Sequence, residues 1–436
     1  GGEARADAGG AVGPGGIADD AARRWAAHYG DLRGVRRWWV PGRIEVLGKH
    51  VDYAGGRSLL ATVDRGFHVL ARPRRDALVH LVDARSRDVA HLALDAALPN
   101  QPGRWVDYPI SVLRRVARDF PGSTTGMDAV IASSLPSAAG LSSSSALVIA
   151  SFLPLAAFND LEAREDWRAA IRDSADLAGY LGAVENGRAF GPFGTDFGVG
   201  TQGGSEDHTA ILCCREGHLS EFRFLPVRAE SETPLPEEWT FVIAACGVPA
   251  PKAGSARESY NRLAEQTGAL LAAWNARHDS TATSLLDVLA EHPDAEHELQ
   301  RLVMAHPNAG ALSRRLEQFR SECMEIIPGA VTAVARRHPG ALGAVVARSH
   351  ELAVTVLENQ IAETIALVRL AREERAIAAS PFGAGFGGSV WALVERDRAD
   401  AFRDRWLARY RAAHPDRADG ASAFVSRPSR GAGELG

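Results

Sequence analysis

Cysteine, methionine and aromatic side chains are all scarce in this chain. Its 436 residues include 4 Cys and 3 Met, and Phe, Trp and Tyr together make up 7%. Cys213, Cys214, Cys246 and Cys323 match no zinc-ligand spacing. So few cysteines in so long a chain exclude a disulfide scaffold and read as reduced, buried thiols. An excess of one charge is also missing. The formal net charge is -5, with no long run of Lys and Arg, which gives no electrostatic footprint for nucleic acid. No uninterrupted apolar stretch of membrane-spanning length is evident, and the N-terminus has no charged-then-apolar export pattern. The default expectation is a cytoplasmic protein without a membrane or nucleic-acid partner. No repeat of fixed period and no heptad seam are present.

What the chain does have is enough apolar residue, 46%, to build two cores, because 436 residues exceed what one ordinary core supports. Residues 1–16 are Gly- and Ala-rich with little to bury, so residues 1–20 read as a disordered tail. An N-terminal domain is expected over 21–230 and a C-terminal domain over 231–430. They meet near the Pro-rich, acidic stretch SETPLPEEW at 231–239. The alternation from Trp38 to about Leu94 predicts strands. Val106–Asp119 reads as a helix ending before Pro121–Gly122. A strand then leads into a Ser-rich turn and an apolar segment over 141–157, and one amphipathic helix is expected over 163–186. The stretch from Gly203 to Val227 reads as a loop and a hairpin. Beyond it come the strand TFVIAAC, several helices between 255 and 376, and strand–helix–strand elements to about 427. Strand-rich and helix-rich regions, rather than strict alternation, point to an α+β fold.

Three segments carry chemistry. The first is LPSAAGLSSSSALVIA, residues 135–150. A strand ends at Leu135–Pro136, small residues make a turn, and a helix starts among the serines. Small side chains let a polyphosphate approach the backbone, and a helix start presents unpaired N–H groups and a positive dipole end. No Gly-Lys-Ser/Thr closes the segment, so it is not a Walker loop, and a serine-capped helix over a flexible turn would look the same. The second is SPFGAGFGGSVWALV, residues 380–394, with four glycines in six positions. Such a run permits close backbone approach to a ligand, though a tight turn between strands would use it equally. The third is WWVPGRIEVLGKHVDYAGG, residues 38–56, which crowds Arg43, Lys49, His50 and Asp52 among glycines at a strand end. Together these four polar groups suit the wall of a polyol pocket.

In this order and spacing the three segments resemble the GHMP kinases, and among them the galactokinases. PGRIEVLGKHVDYAGG resembles the pattern P-G-R-x-x-x-x-G-E-H-x-D-Y-x-G-G, LPSAAGLSSSSA resembles P-x-x-x-G-L-S-S-S, and GAGFGGSVWALV resembles G-x-G-F-G-G. RWVDYPISVL at 104–113 and ARESYNRL at 256–263 extend the likeness, which runs from about Trp38 to Val425. The resemblance implies a two-domain fold: an N-terminal α/β domain like ribosomal protein S5 and a C-terminal ferredoxin-like α+β domain, with the active site between them. It implies an ATP-dependent kinase using Mg²⁺ and a small sugar or polyol, as a monomer or homodimer.

Residue by residue, the resemblance implies that Arg43 and an acidic residue flank the attacking sugar hydroxyl. Asp207 in GGSEDHTAIL is the candidate, with Glu206 as the alternative. Lys49, His50, Asp52, Gly204 and Tyr260 would meet the sugar. Pro136, Ala138, Ala139, Gly140, Leu141, Ser142, Ser143 and Ser144 would cradle ATP, with Trp105 near adenine beside Tyr108. Ser144 and Glu185 would hold the metal.

The chain also departs from the pattern. Lys49 stands where galactokinases have Glu, and an ammonium only donates hydrogen bonds. This suggests a C6-modified sugar such as a uronic acid, unless Lys49 is exposed or pairs with Glu45. GTQGGSEDH replaces the usual G-x-M-D-Q, and Ala138–Ala139 replace glycines. The expected reaction yields a sugar 1-phosphate. The other readings are a kinase of a cyclitol or other polyol, and a non-catalytic ATP and sugar sensor.

Overall fold

The computed structural model describes residues 14–136, 141–249 and 255–436. Residues 1–13 of the expected tail, and Ala138, Ala139 and Gly140, lie outside the described residues.

Two sheets organise the chain. The first is built by β1 (Arg36–Leu47), β2 (Arg57–Pro73), β3 (Leu78–Asp83), β4 (Val89–Ala93), β5 (Met127–Ser133), β6 (His218–Arg223) and β7 (Arg228–Pro234). The second is formed by β8 (Trp239–Cys246), β9 (Ala378–Pro381), β10 (Ser389–Glu395) and β11 (Ala421–Ser426), while β12 (Gly433–Leu435) returns to the edge of the first. The first sheet runs β12-β1-β2-β5-β3-β4, with β6 and β7 branching from β2; the second runs β11-β8-β10-β9 and is antiparallel throughout. The chain passes from one sheet to the other between Pro234 and Trp239 and returns after Ser426.

Both faces of the first sheet are covered. Alternate residues point oppositely, so Val69, Ala129 and Ile131 face one core while Leu70, Val130 and Ala132 face another. The smaller core is capped by α1 (Pro14–Tyr29), whose Ile17, Ala21 and Trp25 recur at helical spacing. The sequence reading therefore starts structure too late. Pro14 suits a first helical position, and the Gly-rich composition of 1–16 conceals the apolar stripe that begins at Ile17.

The larger core receives α2 (Asp107–Asp119) and α3 (Ser143–Phe158). Mean composition predicts α3 well, since it is apolar all round and buried. The single helix expected over 163–186 is two, α4 (Glu165–Ala170) and α5 (Ser174–Asn186). Asp173 breaks the run by accepting a hydrogen bond from Asp176 N, a side-chain cap that starts a new helix. The expected loop at 203–213 is instead α6 (Glu206–Cys213).

Helices α7 (Ser255–His278), α8 (Leu285–Glu291), α9 (Ala295–Val303) and α10 (Ala309–Ser321) form a third cluster. It buries Val51 and Tyr53 from the loop after β1. A π-helical turn, Glu322–Ile326, leads into α11 (Ile327–Ala335) and α12 (Pro339–Leu352). The stretch Pro339–Leu357 is long and apolar enough to cross a membrane by length and composition, but it is not an uninterrupted apolar run. It carries Arg348 and Glu351 and buries Leu342, Val346 and Leu352 against the protein interior, as a core helix does. Finally α13 (Ala362–Glu373) and α14 (Ala399–Ala413) cover one face of the second sheet, and the other face joins the larger core.

Candidate active site

The three chemical segments converge at the end of β1. Arg43 lies within this strand and is 3% exposed, and its backbone N–H donates to Leu141 O at 3.4 Å. The serine turn therefore rests directly on the strand carrying the arginine. Ser142 takes a left-handed conformation and α3 begins at Ser143, so the first N–H groups of α3 have no intrahelical acceptor. From the third segment, the Phe382 ring lies under the Arg43 guanidinium at 5.7 Å, and Ala384 O is 3.0 Å from His50 Nε2.

Arg43 Nε donates to Asp207 Oδ1 at 2.6 Å. Burial raises the Asp207 carboxyl, but Arg43 beside it and the neighbouring Ser142 hydroxyl outweigh this and hold it below its ordinary value. Asp207 is thus ionised at neutral pH, with its side chain 31% exposed. It sits in the first turn of α6, not in an extended loop. Ser205, the cap residue of α6, makes no side-chain cap bond. Instead Asp52 Oδ2, brought from the loop after β1, accepts from Glu206 N at 3.1 Å. A carboxylate at this helix start favours the dipole as well as satisfying the amide. Gly204 makes the approach possible, because a Cβ there would lie 2.2 Å from Asp52 Oδ2.

His50, Tyr53 and Tyr260 gather beside Asp52. The ring of His50 is 5.1 Å from that of Tyr260, and the rings of Tyr53 and Tyr260 are 6.1 Å apart. His50 has a positive φ of 56°, and Arg315 holds it from α10 by donating to His50 O and to Tyr53 Oη. Burial, with Arg315 and Lys49 nearby, pushes His50 down to about 4 despite its bond to Ala384. Its ring is therefore a neutral hydrogen-bonding group. Asn186, at the end of α5, accepts from Thr201 Oγ1 and Gly203 N and donates to Gly204 O, which shapes the turn before α6.

Some expected residues fall elsewhere. Lys49 is 1% exposed and its ammonium lies 3.7 Å from Glu45 Oε1, so it is turned toward an internal carboxyl. Glu206 is directed away from Asp207, accepting from Ser58 Oγ at 2.6 Å. The serine that meets Glu185 is Ser145, not Ser144: Ser145 Oγ donates to Glu185 Oε2 at 2.9 Å, and His208 Nε2 is 2.8 Å from the same oxygen. Trp105 precedes α2 and packs on the larger core, and its buried indole N–H has no partner among the described residues. Pro136 ends the described segment before the serine turn. Ser145, Arg315 and Asn186 were not signalled as site residues, because each acts through a partner distant in sequence, whereas Glu45 is the partner for Lys49 that the sequence offered as the alternative to a sugar contact.

This arrangement joins an ionised acid, a paired arginine, a polyol-sized set of hydrogen-bonding groups and a helix N-terminus suited to phosphate. Comparison with known proteins agrees with it. Family models match in order: the galactokinase galactose-binding signature at residues 24–73, the GHMP kinases N terminal domain at 107–189, and the GHMP kinases C terminal at 330–412. The chain belongs to the GHMP kinases, and its two-domain α+β architecture is theirs. Galactokinase of Streptomyces coelicolor is 28% identical over 397 residues, covering 88% of this chain and 91% of that one. Galactokinase of Chloroflexus aurantiacus is 26% identical over 370 residues, covering 83% and 85%. The structure of Lactococcus lactis galactokinase complexed with galactose superposes with a TM-score of 0.79 at 24% identity, over 95% of this chain and 98% of that one. Methanococcus jannaschii mevalonate kinase gives 0.54 at 14% identity, over 91% and 100%. Within the GHMP kinases the chain is a galactokinase-like sugar kinase, an ATP-dependent phosphotransferase with a sugar hydroxyl as acceptor.

Proposed function

We propose that this kinase phosphorylates the anomeric hydroxyl of a neutral aldose of the galactose type, with Asp207 as base and Arg43 as its electrostatic partner. The observation that carries the reading is the 2.6 Å Arg43–Asp207 pair beside the start of α3. Asp207 accepts the hydroxyl proton as the sugar oxygen attacks the γ-phosphorus. The bond from that phosphorus to the bridging oxygen breaks and ADP leaves. Arg43 offsets the charge on the attacking oxygen and the transferring phosphoryl group. Asp52, His50, Tyr260 and Gly204 bound the sugar, and residues from Pro136 to Ser144 take the nucleotide phosphates.

Charge favours a neutral acceptor. Asp52 and Asp207 both flank the sugar region against Arg43, and the Lys49 ammonium is already faced by Glu45. A uronate carboxylate would enter without an unmatched cation. Galactokinases among the relatives point the same way.

Glu185 with the hydroxyls of Ser144 and Ser145 would hold Mg²⁺. No group of three or more His, Cys, Asp or Glu suited to a metal occurs among the described residues. A few hard oxygen donors supplemented by ATP phosphates and water is nonetheless the usual Mg²⁺ arrangement. When bound, the ion neutralises charge on the phosphates.

The test is ATP consumption over galactose, galacturonate, glucuronate and a cyclitol, with the product position read by phosphorus NMR. Turnover of galactose to its 1-phosphate is expected. A preference for a uronate or a cyclitol would overturn the acceptor assignment.

A further inference from the structure

Beside the Arg43–Asp207 pair lies a second group of charges that the transfer of phosphate does not use. Glu45, Lys49, Glu206 and Glu322 are 3%, 1%, 7% and 0% exposed. Glu45 is on β1, two residues beyond Arg43 and on the same face. Lys49 follows that strand, Glu206 opens α6, and Glu322 begins the π-helical turn after α10. Glu322 Oε1 accepts from Gly48 N at 2.8 Å and Ser349 Oγ at 2.9 Å. Glu206 accepts from Ser58 Oγ, and burial first and the Glu45 charge next hold its carboxyl well above the ordinary value. The Lys49 ammonium, 3.7 Å from Glu45, makes no hydrogen bond of its own among the described residues. His350, from α12, also feels Lys49 and is held neutral, pushed down to about 4 by burial first and by Lys49 and Arg372 next.

The cluster therefore sets three buried carboxyls against the Lys49 ammonium, with the Arg43 guanidinium the other cation acting on Glu45 and Glu206. Removing the cation from such a group leaves uncompensated buried charge, a far greater loss than exchanging the whole pair for neutral groups. What the cluster holds in place matters for catalysis. Glu206 is tied to β2 through Ser58 and to the loop after β1 through the bond from its own N–H to Asp52, and it lies within the influence of the Glu45 charge on β1. Asp207 is the next residue. Any movement of Glu206 is therefore passed along one peptide unit to the carboxylate that faces the sugar.

We propose that Glu45, Lys49 and Glu206 form an internal counter-ion set that fixes the start of α6, so that Lys49 is a positioning residue for Asp207 and not a contact of the sugar. This rests on reading Asp207 as the base. Lys49 acts by offsetting the buried charge of Glu45 beside Glu206. Its effect falls on the rate of transfer, not on affinity for the acceptor.

Steady-state kinetics with galactose and ATP on K49M, E45Q, the double variant E45Q/K49M, and D207N test the idea. K49M should lose on the order of 10²-fold in kcat, the scale of a misplacement of about 1 Å, with little change in the KM for galactose. E45Q/K49M, which removes both charges at once, should recover most of that loss. A raised galactose KM at unchanged kcat in K49M, not relieved by E45Q, would overturn the proposal, because loss of uniform binding marks a direct contact. Wild-type kinetics in K49M would overturn it as well. If K49M does not fold, the double variant decides alone: wild-type KM and kcat support the counter-ion set, and a raised galactose KM refutes it. D207N separates the two layers, since turnover retained in that variant would remove the catalytic assignment itself whatever Lys49 does.

Discussion

Asp207 is kept ionised by a guanidinium 2.6 Å away, while Glu45, two residues from that arginine in sequence, is driven the opposite way. Burial first raises Glu45 to about 7, against the lowering influence of Lys49 and Arg43. These opposed carboxyls make separate predictions. Replacing Asp207 with Asn should reduce kcat by roughly 10²- to 10⁴-fold, the usual contribution of a general base, with the fold unchanged by circular dichroism. Glu45 acts instead on stability. Between its ordinary value of 4.5 and about 7, the folded protein keeps a proton that the unfolded chain has released. Stability contributed by this group therefore falls as pH rises through that window. His50 and His350, both pushed down to about 4, act oppositely below pH 6.5, so the comparison must be a difference. Thermal melts of wild type and E45Q at pH 5 and pH 8 should show a larger drop for wild type on going to pH 8. Equal drops would contradict the raised Glu45.

At the scale of elements, what could be read from sequence is what is local. The strand–turn–helix around Ser143 and the glycine run before β10 are contiguous, and their small residues announce close backbone approach. α6 is different. Its eight residues have no cap of their own, and the amide at its start is satisfied by Asp52, 154 positions earlier. Nothing in EDHTAILC signals that. The same limit applies to the serines: four adjacent hydroxyls are visible, but only the packing of α5 against α3 decides that Ser145 meets Glu185. Lys49 faces Glu45 because both side chains are enclosed, and burial is not written in a five-residue window.

The support of His50 from α10 is another non-local device. A left-handed His is costly unless its surroundings hold it, and here Arg315 grips the carbonyl. R315M should raise the KM for the sugar by between about tenfold and a hundredfold, the scale of lost hydrogen bonds to a charged group. Its kcat should move much less. An unchanged sugar KM would show that α10 does not shape the pocket.

Across the whole molecule, the last residues belong to the first sheet. Leu435, Glu434 and Gly433 pair with Arg37, Trp38 and Trp39 of β1, the strand that also carries Arg43. Ser429 bonds β2 through Thr62 and Val63. Deleting residues 427–436 should therefore lower the melting temperature and leave β1 as an open edge prone to aggregation, measurable by melts and light scattering. A deletion variant as stable and monodisperse as the full chain would contradict this.

The two passages of chain between the sheets run together: Arg427 donates to Glu237 O and Trp239 O, and Gly217 bonds both passages. Gly217 N donates to Pro428 O at 3.0 Å, and Gly217 O accepts from Leu235 N at 2.9 Å. Because the inner face of the second sheet packs into the same core as the first, the two sheets are held by a continuous apolar surface as well as by these crossings, and cannot separate without exposing it.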